Sequence, residues 1–361
     1  MGSDTERQEK LEQFRREVEG LENVQGVAYD PKEKRFVALV SKKKPESELP
    51  EDQLVANRTS MSEDEHGVVE IGELKAHTLR MAISSDSGEV MDPESSAEFR
   101  PVMAGAEEQP DSLPIVGTGS YVARVTDLSK GEWTEGVSEG DVVRVSNWHV
   151  YVADGFEANR PIHQPFRGGE VGELVGYAPL EDGSKADAAA RTVTKHDGWG
   201  TIGLDVARNG DEYGRSVVRD ITDEHGGATV TKTGRTTDTT TAEIDLIDVS
   251  VNVNYGDDEN PNLIRVEDCV LTTALGRNGD SGSAVYLEEN GALCGLYFAG
   301  SEEAGTGVFA QINNVEAELG IEAITDWEEE TKPIEYGRSG DGPSDEVQQF
   351  KDDLKAFIEN W

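Results

Sequence analysis

At 361 residues the chain is long enough to bury a full core and to hold more than one domain. Its 73 acidic against 33 basic residues give a formal net charge of -40. That excess, spread along the chain rather than confined to a tail, argues against a nucleic acid or an anionic membrane surface as the main partner. No apolar run approaches the ~20 residues of a membrane span, and the start Met1-Gly2-Ser3-Asp4 lacks a signal-peptide core, so a cytoplasmic location is expected.

Residues 5–20 carry Leu11, Phe14 and Val18, with Leu21 just beyond, at helical spacing in a charged setting, which predicts an amphipathic helix. Val24 to Tyr29 and Arg35 to Val40 are β-patterned around Asp30-Pro31-Lys32-Glu33-Lys34, and predict a hairpin. Lys42-Lys43-Lys44 reads as a solvated strand end rather than a ligand site. A polar loop from Pro45 to Asp64 and a short strand from Gly67 to Gly72 complete a small N-terminal α/β domain over residues 1–83. Ser84 to Pro114, rich in Ser, Glu, Pro and Gly, reads as a linker.

From Gly117 short strands alternate with turn signals, as an all-β barrel requires. Ser120 to Thr126 and Asp141 to Val145 alternate well, and the second runs into Ser146-Asn147-Trp148-His149-Val150. A long polar loop from Asp154 to Gly169, carrying His163, precedes the strand Glu170 to Tyr177 and then Ala186-Asp187-Ala188-Ala189. Those small apolar neighbours imply burial of the Asp187 carboxylate, and a buried carboxylate requires a partner. Gly203 to Gly214 marks the crossing to a second barrel, opened by Thr229 to Thr237; His196 and His225 lie in polar surroundings and receive no role. Ile244 to Val253 and Leu263 to Leu271 lead to Gly279-Asp280-Ser281-Gly282-Ser283. Ser283 to Leu287 and Ala292 to Ala299 predict a hairpin, Val308 to Ile312 a last strand, and Asn314 to Leu319 the start of a helix. Residues 326–361 read as an acidic linker and a C-terminal amphipathic helix with the stripe Val347, Phe350, Leu354, Phe357 and Ile358, which leaves a homo-oligomer open.

The stretch from Gly279 to Ser283 sets a serine between glycines. A serine that attacks a carbonyl needs its hydroxyl on a tight turn and main-chain N–H groups beside it, and glycine permits both. An ordinary turn is the plain alternative in a chain with 39 glycines. Among His66, His77, His149, His163, His196 and His225, only His149 closes a β-patterned run through small polar residues. Asp187 supplies the carboxylate that fixes an imidazole tautomer. The candidate catalytic residues are therefore His149, Asp187 and Ser281, with the N–H groups of Gly279 and Ser281 as an oxyanion hole and Ser283 as a decoy. Cys269 and Cys294 read as small buried hydrophobes rather than a disulfide, and no cluster has metal-ligand spacing; no cofactor and no metal is implied.

The order His, Asp, Ser, with Asn147-Trp148-His149-Val150, Lys232-Thr233-Gly234-Arg235-Thr236-Thr237 and Gly295-Leu296-Tyr297-Phe298-Ala299-Gly300-Ser301, resembles the trypsin/chymotrypsin-like serine peptidases. Within them it is similar to the microbial peptidases related to the plant narrow-leaf protein. Asn23 to Ala28 and Leu49-Pro50 extend the resemblance over roughly residues 20–325. It implies a mainly β fold, with a trypsin-like double six-stranded β-barrel over residues 115–325. His149 and Asp187 then lie on the first barrel and Ser281 on the second. It also implies a serine endopeptidase that cuts a peptide or protein substrate through an acyl-enzyme, pairs substrate backbone with Phe298, Ala299 and Gly300, and floors an apolar specificity pocket with Leu275. Asp238 stands where that branch is expected to have glycine. The charge adds a further expectation. At roughly 1 M salt the screening length falls to about 3 Å and self-repulsion largely disappears, so a salt-adapted, haloarchaeal protein is expected, with a merely acidic one as the alternative. Against the peptidase stand a catalytically idle protease fold that binds peptides or assembles, and a non-peptidic esterase.

Overall fold

The computed structural model describes residues 4–76, 79–80, 98–99, 102–111, 113–153, 155–166, 168–194, 213–214, 216–257 and 259–325. The expected C-terminal helix, His77, His196, most of the expected linker and most of the crossing at 203–214 lie outside the described residues. In chain order, α1 (Asp4–Val18) leads to β1 (Val24–Asp30), β2 (Arg35–Val40), the single turn α2 (Val55–Arg58), β3 (His66–Glu70), β4 (Lys75–Ala76) and β5 (Leu79–Arg80). Next come β6 (Glu107–Pro110), β7 (Ile115–Thr118), β8 (Val122–Val125), β9 (Glu132–Trp133), β10 (Val142–Ser146), the single turn α3 (Trp148–Tyr151), β11 (Pro161–Gln164), β12 (Gly169–Tyr177) and β13 (Ala189–Thr192). The remainder is β14 (Thr229–Gly234), β15 (Asp238–Asn254), β16 (Leu263–Thr273), β17 (Ala284–Leu287), β18 (Leu293–Ser301), β19 (Thr306–Gln311), α4 (Ile312–Leu319) and β20 (Ile321–Ala323). Among the described residues no helix is long and apolar enough to cross a membrane.

The strands form two curled sheets, a mainly β, chymotrypsin-like double-barrel architecture. In the second, β14-β17-β18-β19-β16-β15 closes into a six-stranded ring, because β15 pairs with both β16 and β14. The 17 residues of β15 make this possible: its early part pairs with β14, and register shifts between Ile244 and Val251 bend it along β16. The first sheet runs β20-β8-β10-β13-β12-β11-β6-β7-β5 and does not close among the described residues. Between the two sheets, Tyr121, Val143 and Val145 pack in one cluster with Val251, Leu271 and Phe298.

The N-terminal elements extend the second barrel rather than forming a sheet of their own. β1 pairs antiparallel with β15, β2 with β1, and β3 runs parallel to β2. The predicted stripe on α1 is buried, and Leu11, Phe14, Val18 and Leu21 share a cluster with Phe36 and with Ile244 and Val270 of the barrel. Periodicity revealed the helix and the hairpin, but β15, the other partner of β1, lies far along the chain, with Gly26 opposite Val251, and leaves no local pattern.

Two other expectations change. Glu107–Pro110, inside the expected linker over 84–114, is a fully buried strand between β7 and β11. Its carboxylates misled the reading because they face buried cations: Glu107 Oε2 is 2.5 Å from Arg235 Nε, and Glu108 Oε2 is 2.7 Å from Arg191 Nε. Pro161–Gln164, expected within a polar loop, is also a strand, and its His163 Nδ1 is 2.9 Å from Gly168 O. Cys269 and Cys294 are free and buried, on β16 and β18, with β19 lying between those strands. Burial pushes both thiols up, so neither is a nucleophile at neutral pH.

Candidate active site

The pairing of β10 with β13 sets Ser146 opposite Ala189, so the residues just after one strand meet those just before the other. Asn147, in extended backbone, opens the turn of α3, and its Nδ2 donates to Asp187 O at 2.7 Å. His149 follows on that turn. Its Nδ1 lies 2.5 Å from Asp187 Oδ2, and its backbone N–H donates to Asp187 Oδ1 at 3.2 Å. The carboxylate therefore holds the imidazole by ring and main chain together, leaving Nε2 as the working nitrogen. Nε2 is buried without a hydrogen-bond partner among the described residues. The Tyr255 ring meets the imidazole edge-on at 6.0 Å between centroids. Burial and the nearby Asp187 carboxylate push the Tyr255 hydroxyl up, keeping it neutral.

Ser281 sits between β16 and β17, on the second barrel, and its turn is pressed against the first. Gly279 (φ 98°) and Gly282 (φ 93°) both occupy the left-handed region. A Cβ on Gly282 would stand 2.1 Å from Thr118 O and 2.3 Å from Ser146 Oγ, so only glycine allows the two barrels to meet here. Thr118, at the end of β7, clamps the turn at two points. Its N–H donates to Ser281 O at 2.8 Å, and its hydroxyl donates to Gly279 O at 2.9 Å. Ser146 Oγ in turn donates to Thr118 O at 2.8 Å, so the His149 and Ser281 segments converge on one threonine. The Ser281 hydroxyl itself donates to Phe298 O at 3.3 Å. Attack requires it to turn from that carbonyl to Nε2. His149 is 4 % exposed, and Asp187 and Ser281 are 0 %, so all three need uncovering before a substrate reaches them.

The orientation of the two candidate oxyanion donors follows from their neighbours. Asn278 O accepts from Thr236 Oγ1 at 2.6 Å, and a trans peptide sends the following Gly279 N–H the opposite way. Asp280 O accepts from Ser283 Oγ at 2.5 Å and from Ser283 N at 3.0 Å, which aims the Ser281 N–H away likewise. Ser283 thus has a task of its own in holding the turn.

Asp280, Lys232 and Thr118 were missed by sequence reasoning. Asp280 Oδ1 accepts from the backbone N–H groups of Thr236 at 2.7 Å and Thr237 at 3.1 Å. Its Oδ2 accepts from Thr237 Oγ1 at 2.7 Å and Arg277 N at 2.9 Å, and lies 3.2 Å from Lys232 Nζ. The run Lys232 to Thr237, whose role residue types alone left unread, is a cradle for the carboxylate beside Ser281. A lysine inside a β-patterned run was the available signal; Thr118 offered none. Asp238 adopts φ 48°, the conformation for which glycine is expected, and aspartate is among the side chains that best tolerate it.

Phe298, Ala299 and Gly300 lie on β18 beside Ser281, and β4 runs along them. Leu275 has no accessible surface and packs with Val270, Val285, Tyr297 and Phe309, in a cluster separate from that of Phe298 and Ala299.

No protein-family model and no curated protein sequence matches the chain. Similar solved structures include Thermobifida fusca Protease A, 16 % identical with a TM-score of 0.43, covering 62 % of this chain and 99 % of that one. Cellulomonas bogoriensis chymotrypsin is 14 % identical, with a TM-score of 0.42 and coverage of 62 % and 99 %. A glutamic acid specific serine protease with a histidine triad in substrate binding is 17 % identical, with a TM-score of 0.42 and coverage of 62 % and 100 %.

Proposed function

We propose that the chain is a serine endopeptidase acting on a peptide or protein substrate, its protease unit taking in β6 (Glu107–Pro110) ahead of the expected span 115–325. The observation that carries this reading is the 2.5 Å contact from His149 Nδ1 to Asp187 Oδ2, with Nε2 left over at the seam that holds Ser281. Ser281 Oγ attacks the carbonyl carbon while Nε2 takes its proton. The oxyanion is received by the N–H groups of Gly279 and Ser281. The C–N bond breaks as the amine leaves with the proton from His149, and water then hydrolyses the acyl-enzyme by the same path in reverse. Ala299 and Gly300 supply the strand edge for the substrate backbone, and Leu275 an apolar preference for the side chain that enters beside it.

A fluorophosphonate probe tests the reading. Labelling at Ser281 is expected, with Ser281→Ala and His149→Ala lowering peptide hydrolysis by at least about 10⁴-fold and Ser283→Ala leaving the nucleophile labelled. Absence of labelling with a folded chain sinks it. One observation favours the second reading, an idle peptide-binding fold: the Ser281 hydroxyl bonds Phe298 O while His149 Nε2 has no partner. A protein that binds peptides yet never labels would be that module.

The net charge of -40 supports adaptation to high salt, a haloarchaeal source and membership of the narrow-leaf-related branch being parts of the same proposal, with a cytoplasmic location. Melting across a salt series tests the salt dependence: stability that rises toward about 1 M salt supports it, and stability equal or higher in dilute buffer removes it.

A further inference from the structure

We propose that β4 occupies in cis the edge of β18 where substrate backbone would pair, so that the folded protein rests in a self-blocked state. The proposal deepens the peptidase reading, since it takes the edge of β18 as the place where substrate backbone pairs.

The pairings carry it. β4 lies antiparallel on β18, with Ala76 opposite Ala299 and Lys75 opposite Gly300. β5 lies antiparallel on β7, with Leu79 opposite Val116 and Arg80 opposite Ile115. Those two host strands meet at the nucleophile. Phe298, the residue before Ala299, accepts the Ser281 hydroxyl bond, and Thr118, two residues past Val116, donates its N–H to Ser281 O. One strand is added on each side of the serine, which is how an extended peptide presents itself to a sheet edge.

The occupant is anchored from behind. Leu74 O accepts from Asn254 N at 2.9 Å, Lys75 also pairs with Asn254, and Ile71 O accepts from Thr306 Oγ1 at 3.0 Å. Ile71 and Leu74 are buried in the cluster between the barrels. Asn254 is followed by Tyr255, whose ring packs edge-on with His149, so the strand end that holds β4 also contacts the base. A foreign peptide competes with a segment already tethered at the groove, and tethering of this kind acts as a standing high local concentration. Displacement of β4 is therefore the step that admits substrate.

The test uses Ser281→Ala protein, which binds without cutting, and a fluorescein-labelled peptide with the sequence of residues 73–80, read by anisotropy. The double variant Lys75→Pro/Ala76→Pro in that background removes both strand N–H groups of β4 and is expected to bind the labelled peptide at least tenfold more tightly than the parent. Equal affinity overturns the proposal. Hydrogen exchange on the unaltered chain gives a second, independent reading: protection of the amides at 75–76 and 299–300, lost from 75–76 when excess unlabelled peptide is added, is expected. Exchange at 75–76 at the rate of an unstructured chain overturns the proposal. Both readouts are binding measurements, so a failure of fluorophosphonate labelling sinks the hydrolase reading and leaves this one to be decided on its own result.

Discussion

In the first sheet Arg191, without accessible surface, donates from Nε and Nη2 to both oxygens of Glu108 at 2.7 and 2.8 Å, and the Tyr151 hydroxyl donates to the same carboxylate. Arg144, equally buried, donates to Ser120 O at 2.7 Å and Val102 O at 3.1 Å. In the second barrel the inside is hydrocarbon, built from Val230, Ile244, Val270, Val285, Leu287 and Phe309, and the backbone of the six strands is satisfied around the ring. Its buried pair, Lys232 with Asp280, stands at the Ser281 turn. Among the described residues the second sheet closes and the first does not, and in the first the buried arginines donate to main-chain carbonyls. His149 and Asp187 thus stand on the sheet built around buried ions, and Ser281 on the ring with an apolar interior, where one buried ion pair holds its turn.

Removing the ionic scaffold is the largest perturbation. Arg191→Met strands Glu108 in the interior and is expected to cost about 3–5 kcal/mol of stability, read as a shift in the urea midpoint. A loss below about 1 kcal/mol would show that the first sheet does not depend on the pair. Lys232→Met is expected to cost less, about 1–3 kcal/mol, because Asp280 keeps its bonds from Thr236, Thr237 and Arg277. Its mark is a fall in kcat at near-constant KM, partly restored by Lys232→Arg; equal activity would reduce Lys232 to a packing residue.

Thr118→Val acts across the seam. It removes the hydroxyl that donates to Gly279 O and accepts from Arg235 N at 3.0 Å, and is expected to lower kcat about tenfold, equivalent to about 1.4 kcal/mol, with little change in melting. The smallest effect belongs to Glu17 on α1. Partial burial works against its charge, but the Ser60 N–H and hydroxyl, Gln13 and Thr59 outweigh that and lower its carboxyl from 4.5 to about 2. The folded value lies below the unfolded one, so the contribution is full above about pH 5 and lost as pH falls toward 2. The gap in urea midpoint between the parent and Glu17→Gln should therefore close on acidification; a gap that widens would contradict the assignment.

Local pattern determined much of this protein. The stripe Leu11, Phe14, Val18 announced α1, alternation announced most strands of both sheets, and the small residues around Asp187 announced a buried carboxylate. Glycines at 279 and 282 announced a turn that other side chains resist, for which the left-handed angles give the reason. Those features depend on a residue and its near neighbours, and they survive in one dimension. What the tertiary structure alone decided are the long-range pairings: β1 with β15, β4 with β18, Glu107 with Arg235, and Asp280 with Lys232. A buried charge and a solvated charge are spelled alike, and a strand edge does not name the strand that will cover it. Only burial separates the first two, and only closure of the ring, with its N-terminal extension laid along β18, settles the third.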